Sequence, residues 1–451
     1  MPHALSITIA AVLATAGPSS PQDSGTPAPL LQLGDAVAAA QHQNHAQQST
    51  ALELQKVDER TAAERTRRLP SFRVDAVGSR LLQDLEFSFP TGAFGTFPGI
   101  GPVPAQQTSV KTKADFTATF VVSAGQPLTQ QYRIGLGLEA LRLEHGVAEE
   151  DLRRERQRIG AEVRTTYYKL SATEAGILAL RDLVRAIEEL DEQTARYLTE
   201  QTVLRSEALE VRARLARERQ RLAEAESGLA TQREHLNQLM GRDIATPFRV
   251  AEPSQLENVG ALGLAAARER ALANRPEVHR AALRIDQADT SRRIARSHWI
   301  PDVTLVGSYT RNVNYDQVVP EQISTAGLVF TWEPFDWGRR GHEAAEQAVA
   351  KAQAQSGRDE TEQQIAVEVG QRWRGVKDAA VLLEATRRSE EAASAYLEDV
   401  RNKYREDASM LHDVLEAEAR LSGARHDHTD ALAGYWSATA ELERTIGHEN
   451  S

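Results

Sequence analysis

Cysteine is absent from this chain of 451 residues. Its absence excludes disulfides, thiolate metal sites, a cysteine nucleophile and a lipid-modified N-terminal cysteine. Aromatic residues are scarce, at 5%, which is thin for globular cores. Ala, Arg, Glu, Gln and Leu abound instead, a balance that favours long helices packed through narrow seams. Positive charge is not in excess either: the formal net charge is −11, with acids and bases interspersed and no basic stripe. Nucleic acid is therefore not an expected partner. Beyond the N-terminus no segment approaches the ~18 consecutive apolar residues of a membrane helix, so any passage through a membrane has to be made by strands.

Motifs of chemistry are missing as well. There is no G-x-S-x-G, no P-loop and no HExxH. Gly135-Leu136-Gly137, followed by Ala140, loosely matches a dinucleotide fingerprint, but that motif needs a short βαβ unit, and a helical pattern of more than sixty residues follows here. His426 and His428 are two apart and point to different faces of a helix. No pair of carboxylates is isolated in an apolar setting that would tune a pKa. No enzyme activity, metal or cofactor is expected.

What is present is a repeat. Glu162 to Gly241 recurs, shifted by 206 residues and without a gap, as Glu368 to Gly447. Tyr167 falls on Trp373, and ALEVRARL at 208–215 falls on VLEAEARL at 414–421. A repeat this long points to a duplicated structural unit rather than a small solenoid motif.

Taken in order, residues 1–16 read as a signal peptide, with an apolar core from Ala4 to Ala14 and a cleavage-like Ala14-Thr15-Ala16. Residues 17–30, rich in Pro, Ser and Gly, read as a disordered tail. The first repeat, 31–245, begins with a helix from Leu33 to about Arg68, stopped by Pro70. A strand hairpin at 71–124 follows, with alternation at 72–79 and again at 109–120. A period of two with opposite chemistries puts one face of each strand against something apolar and the other against water. Between them the Gly/Pro-rich segment 87–104 reads as a long loop carrying four phenylalanines. From about Ile134 to Gln201 the apolar spacing is helical and nothing forces a stop, which allows a helix of ~100 Å at about 1.5 Å per residue. The next helix carries Leu215, Leu222, Leu229 and Leu236, a seven-residue repeat that reads as a coiled-coil seam. After a linker at 246–259, the second repeat, 260–447, follows the same plan, with its strand hairpin at 301–333 and a helix break near 406–410. Asn44 and Asn274, and Pro70 and Pro301, are its matching landmarks.

Four strands are too few to close a barrel, for which about eight is the practical minimum. Free strand edges in hydrocarbon leave backbone groups unpaired at several kcal/mol each. Helices of ~100 Å with a single apolar seam face the same difficulty. Both are resolved if several chains contribute to one assembly.

The segment Trp332-Glu333-Pro334-Phe335-Asp336-Trp337-Gly338-Arg339-Arg340 resembles the strand-to-helix junction of TolC-like outer membrane efflux proteins. The Asn274-Arg275-Pro276 helix opening, the Ile300-Pro301 strand entry and Tyr404 followed by Asp413-Val414-Leu415-Glu416-Ala417 are similar to that family too. The resemblance implies a mixed α and β membrane protein with an internal duplication. The resemblance further implies a homotrimer in which each chain gives four strands to a shared twelve-stranded transmembrane β-barrel in outer membrane lipid. The long coiled-coil helices form a periplasmic α-barrel, which opens when a periplasmic adaptor and an inner membrane transporter dock. The family match also places Tyr404 as a tie of the closed tip and Glu207 as its acidic partner, with Asp413 and Glu416 lining the narrowest ring. Glu207 is the counterpart of Asp413 under the 206-residue shift. At the tip turns, where the adaptor docks, Gln201 and Asp407 stand where the family usually has glycine, and Ser409 stands where it has a bracing arginine. The function implied is a passive exit duct of a tripartite efflux or type I secretion system. The rival reading from another class is a soluble periplasmic coiled-coil scaffold or efflux adaptor.

Overall fold

The structure is a computed structural model that describes residues 29–80, 82–112, 115–200, 204–251, 262–315, 319–406 and 408–448. The expected signal peptide at 1–16 lies outside the described residues, as do 17–28 of the tail and 252–259 of the linker.

Prolines, glycines and a capping asparagine divide the chain into its elements. A two-residue strand, β1 (Leu30–Leu31), precedes helices α1 (Leu33–Gln43) and α2 (His45–Thr66). Strand β2 (Ser71–Arg80) leads into a side excursion of β3 (Leu85–Phe89), β4 (Thr96–Phe97), β5 (Gly101–Pro102) and β6 (Thr108–Thr112), and the chain returns through β7 (Phe116–Pro127). The long helix α3 (Gln130–Thr199) and its partner α4 (Arg205–Leu239) complete the first half. Strand β8 (Arg249–Val250) pairs with β1 and introduces α5 (Leu264–Asn274), α6 (Pro276–Ser297), β9 (Asp302–Val313), β10 (Gln322–Thr331), α7 (Arg339–Arg405) and α8 (Leu411–Thr445). With 70 residues, α3 runs for roughly 105 Å at about 1.5 Å per residue.

Three expectations are corrected. The helix from Leu33 to about Arg68 is broken at Asn44, whose backbone is extended and whose side chain accepts the N–H groups of Ala46 at 2.9 Å and Gln47 at 3.2 Å. An asparagine that caps a new helix ends the old one, and periodicity alone does not register it. The strand expected at 109–120 is two strands in different ladders. Residues Thr108–Thr112 pair with Leu85–Phe89 in the side excursion, and the main sheet takes Phe116–Pro127. Alternation continues through both segments, so a period of two does not reveal the change of partner. Lastly, a shift of 231 residues lays α1–α2 on α5–α6 and pairs Asn44 with Arg275, not with Asn274.

The main sheet is antiparallel, in the order β10–β9–β7–β2. Its register concentrates large apolar side chains on one face and hydroxyls on the other, with Val77, Val121, Val306, Ile323 and Val329 among the hydroxyls and Arg80, Gln126 and Arg311 among the apolar groups. Phe72, Val74, Phe120, Val122, Leu305, Leu328 and Phe330 share one face, and Ser79, Thr117, Thr119, Ser308, Asn312 and Thr325 share the other. On the polar face hydroxyls bridge strands, Ser79 to Thr117 at 2.9 Å and Ser308 to Thr325 at 2.7 Å, while Thr119 donates to Asn312 at 3.1 Å. The apolar face is bare: Phe72 is 76% exposed and Phe330 62%. Among the described residues β2 and β10 each pair on one side only. The Thr129 hydroxyl fastens sheet to helices, donating to the Pro301 carbonyl at 2.8 Å and accepting from Val303 N–H at 2.9 Å.

The core lies where the short helices cross the long pairs. Ala36, Ala40, Ile159, Val163, Leu236 and Met240 pack together in one cluster; Ala267, Ala271, Ile365, Val369, Leu442 and Ile446 pack in the other. These are counterparts under the two shifts of 231 and 206. The polar handles match as well. The Tyr167 hydroxyl lies 2.8 Å from the Leu31 carbonyl, and the Trp373 indole N–H donates to the Leu262 carbonyl at 2.8 Å. Each long pair ends on a glycine with positive φ, Gly241 (+68°) and Gly447 (+72°). A Cβ at Gly241 would stand 2.0 Å from the Gln43 carbonyl oxygen, so the close crossing of α4 over α1 requires glycine.

At Arg275 the two halves differ in kind. The Asn44 amide donates to Leu239 carbonyl at 2.8 Å, a neutral bond. Arg275 is buried and pairs with Glu277 at 2.9 Å and with Glu368, which also takes Arg444 at 2.9 Å. Burial alone would push Glu368 up, but hydrogen bonds and charge from Arg275, with the charge of Arg444, outweigh it and hold its pKa below the ordinary value. Removing one member leaves buried charge uncompensated. Arg275→Ala is therefore expected to cost about 3–5 kcal/mol, against roughly 1 kcal/mol for Asn44→Ala. Thermal midpoints of the two variants, which should fall in that order, check this.

Candidate functional site

Two helical turns bring the candidate residues into one region. Helices α3 and α4 reverse across 200–204, and α7 and α8 across 406–410. Each second helix opens from an extended residue, Leu204 or Met410, and carries an acid in its first turn, Glu207 or Asp413. The turns are neighbours because Leu415 of α8 is buried against Val184, Ile187, Val211 and Leu215 of the α3–α4 pair.

Asp413 is committed to its own helix. Its carboxylate accepts the Met410 N–H at 2.9 Å and the Ser409 hydroxyl at 2.8 Å. The Met410 bond first, then that from Ser409, hold its pKa below the ordinary aspartate value. A carboxylate at this position also favours the positive end of the helix dipole. Ser409 thus has a role that its mismatch to the family pattern did not suggest.

The other candidates are freer. Glu207 is exposed and accepts no side-chain hydrogen bond among the described residues. Tyr404, in the last turn of α7, is 42% exposed and, among the described residues, is not hydrogen-bonded to Glu207. The glutamate expected to hold this tyrosine therefore does not do so within one chain. Glu416 is exposed on α8, and Gln201 and Asp407 lie outside the described residues.

Sequence reasoning missed His412. Its Nδ1 is 3.4 Å from Glu210 of α4 and its Nε2 4.0 Å from Glu416, so it stands between the two hairpins. The spacing of four to Glu416 was a usable signal, since residues four apart on a helix are neighbours. Among the described residues no group of three metal-ligating side chains is assembled. What the tip holds is mixed charge: Glu207, Glu210, Asp413 and Glu416 open the second helices, while Arg196, Lys403 and Arg405 end the first ones.

At the far end of the long helices the strands turn into helix through a compact junction. Asp336 accepts the N–H groups of Gly338 and Arg340, both at 3.1 Å. The buried Arg340 guanidinium pairs with Glu333 at 2.8 Å and lies 5.5 Å from the Trp299 ring centroid. Trp337 is 88% exposed and meets Phe335 edge to face at 4.7 Å between centroids. This is the physical content of the WEPFDWGRR segment: a capped turn that presents aromatic rings outward where the sheet ends. No helix among the described residues is long and apolar enough to cross a membrane.

Residues 267–448 match the family model described as outer membrane efflux protein. That stretch is similar to the outer membrane efflux protein family. It contains Arg275, the capped junction, Tyr404 and the Asp413 turn of the tip. No curated protein matches the sequence. In fold the whole chain is similar to solved outer membrane channels. The Campylobacter jejuni CmeC outer membrane channel is 15% identical, with a TM-score of 0.74 over 96% of this chain and 92% of that one. The open state of the Neisseria gonorrhoeae MtrE channel is 17% identical, with a TM-score of 0.69 over 92% of this chain and 88% of that one. A membrane protein from Pseudomonas aeruginosa, 17% identical, has a TM-score of 0.74 over 96% of this chain and 99% of that one.

The Asp413 turn yields a pH prediction. Because the folded pKa of Asp413 is depressed, the cap is fully present above the ordinary aspartate range and is lost as pH falls through the lower folded value. Amide exchange at the start of α8 should quicken at that acid pH, and already at neutral pH in Asp413→Ala. Protection equal to wild type in Asp413→Ala would remove the cap from the account.

Proposed function

We propose that the protein is the exit duct of a tripartite efflux or type I secretion system, set in the bacterial outer membrane with its helices in the periplasm. The observation that carries this reading is the four-stranded sheet, mainly apolar on one face, hydroxyl-rich on the other and, among the described residues, unpaired at both edges. Such a sheet is stable in hydrocarbon only when its edges find partners. Three copies, joined β2 to β10, make a twelve-stranded barrel with lipid outside and water within. The exposed rings of Trp337 and Phe335 then stand at the membrane boundary, where aromatic belts form. The long helical pairs, with one apolar seam each, continue the tube.

In this arrangement the chain performs no chemistry. Energy comes from an inner membrane transporter, and a periplasmic adaptor docks on the tip turns at Gln201, Asp407 and Ser409. Tyr404 and Glu207 are exposed, which leaves both available across a subunit boundary, where a hydroxyl and a carboxylate form a charge-assisted bond. Glu416 and Glu210, repeated three times about an axis, give a cation-attracting ring. The family match at residues 267–448 supports the efflux reading.

Two measurements test it. Cell fractionation should recover the protein in the outer membrane as a trimer in mild detergent; recovery as a soluble periplasmic monomer would favour the scaffold or adaptor reading instead. In planar bilayers, Tyr404→Phe with Glu207→Gln should raise resting conductance, and Glu416→Gln should weaken block by divalent cations several-fold. Wild-type conductance and block in these variants would take the residues out of the gate.

A further inference from the structure

A cavity of about 490 Å³ lies where α1 crosses α3 and the end of α8, far along the chain from the tip residues. Arg153, Arg156 and Arg164 of α3, Arg444 of α8 and His42 of α1 line it, and none of its lining residues is acidic. Carboxylates do stand behind the wall: Glu443 is 3.4 Å from Arg164, Glu368 2.9 Å from Arg444, and Glu150 3.6 Å from Arg153. Among the described residues no ion pair ties Arg156, which is exposed at the edge of the cavity. The floor is Gly160, buried, and a Cβ there would meet nothing within 4 Å. The space above this glycine is therefore open rather than packed.

The second half of the chain supplies an internal control. Under the 206-residue shift Arg153, Arg156, Gly160 and Arg164 become Asp359, Glu362, Ala366 and Gly370. Under the 231-residue shift Val37, which borders the cavity, becomes Arg268. In that half Arg268 fills the place itself. Its Nε donates to the Ala366 carbonyl at 3.1 Å, and its guanidinium lies 3.2 Å from where a Cβ on Gly370 would stand. Where the crossing carries its own arginine, the facing positions are acidic or small. Where it carries valine, the protein's own side chains leave a cavity, and the facing positions are three arginines about Gly160. If these arginines served only to pack the crossing, the second half would need them too.

Carboxylates already offset Arg153, Arg164 and Arg444 from outside the cavity, but no acid enters it, and planar guanidinium forks match the oxygens of phosphate in pairs. We infer that this cavity binds a compact polyvalent oxyanion, a phosphate or phosphomonoester group. The site stands apart from the transport reading and does not depend on it.

The full-length protein, purified in detergent and washed free of phosphate, should bind radiolabelled inorganic phosphate saturably in equilibrium dialysis, with one site per chain. Arg156→Gln should raise Kd at least tenfold. Gly160→Leu projects a side chain from a position where a Cβ meets nothing within 4 Å and should abolish binding, with the thermal midpoint measured beside it to show that the variant is folded. Organic phosphorus extracted from the unwashed protein at one per chain, and missing from Gly160→Leu, would assign the site to a lipid headgroup; phosphate binding without it would assign a free anion. Absence of saturable binding in wild type, with the cavity then taken by acidic side chains of a neighbouring copy, overturns the inference. So does equal binding by Gly160→Leu.

Discussion

A backbone N–H or carbonyl deprived of water has to find a partner, and this requirement governs the sheet at one end of the molecule. Strands β9 and β7 satisfy it from within the chain, each bonded on both sides. Among the described residues strands β2 and β10 satisfy it on one side. The register keeps most large apolar side chains on one face and most hydroxyls on the other, so the sheet suits a boundary between lipid and water and suits bulk water poorly. The proposed closure by further copies answers the edges at β2 and β10, and in that proposal the long helices continue the wall that the strands begin.

The two halves obey the same packing rule with different chemistry. Both lay a short helix over a long pair, both end that pair on a glycine of positive φ, and both fasten an aromatic polar handle to the strand or turn before the short helix. At the turn between the short helices one half uses the neutral Asn44 amide, and the other uses Arg275 among two carboxylates. Duplication preserved backbone geometry and apolar volume. Charge was free to diverge, and it diverged where it could be compensated locally: Arg268 fills its own notch in one half, and the arginines of α3 face an open cavity in the other.

The tip uses charge in two ways that sequence alone does not separate. Asp413 and Glu207 occupy the same place in their helices, yet Asp413 is bound to Ser409 and Met410 while Glu207 is exposed. A carboxylate that caps a helix is held by that helix and is a poor ligand for anything else. Glu416, and Glu210 beside His412, keep their oxygens toward solvent, and that leaves them the freer carboxylates of the tip.

Much of this was legible in the residues. The long helices came from apolar spacing of three and four, the strands from alternation, the duplication from an ungapped shift, and the junction from its Trp-Glu-Pro-Phe-Asp-Trp-Gly run. Each is a local pattern whose period is set by backbone geometry. Three things were decided only by the folded chain: which alternating segment joined the main sheet, the pairing of Asn44 with Arg275, and the capping of Asp413. Each depends on contacts between residues whose chemistry is the same in either arrangement. Alternation serves any ladder, an asparagine serves a helix or its end, and an aspartate near a turn is equally a cap or a free charge. Periodicity determines what an element is, whereas its partner is chosen by distance in space, and distance arises only when the whole chain packs.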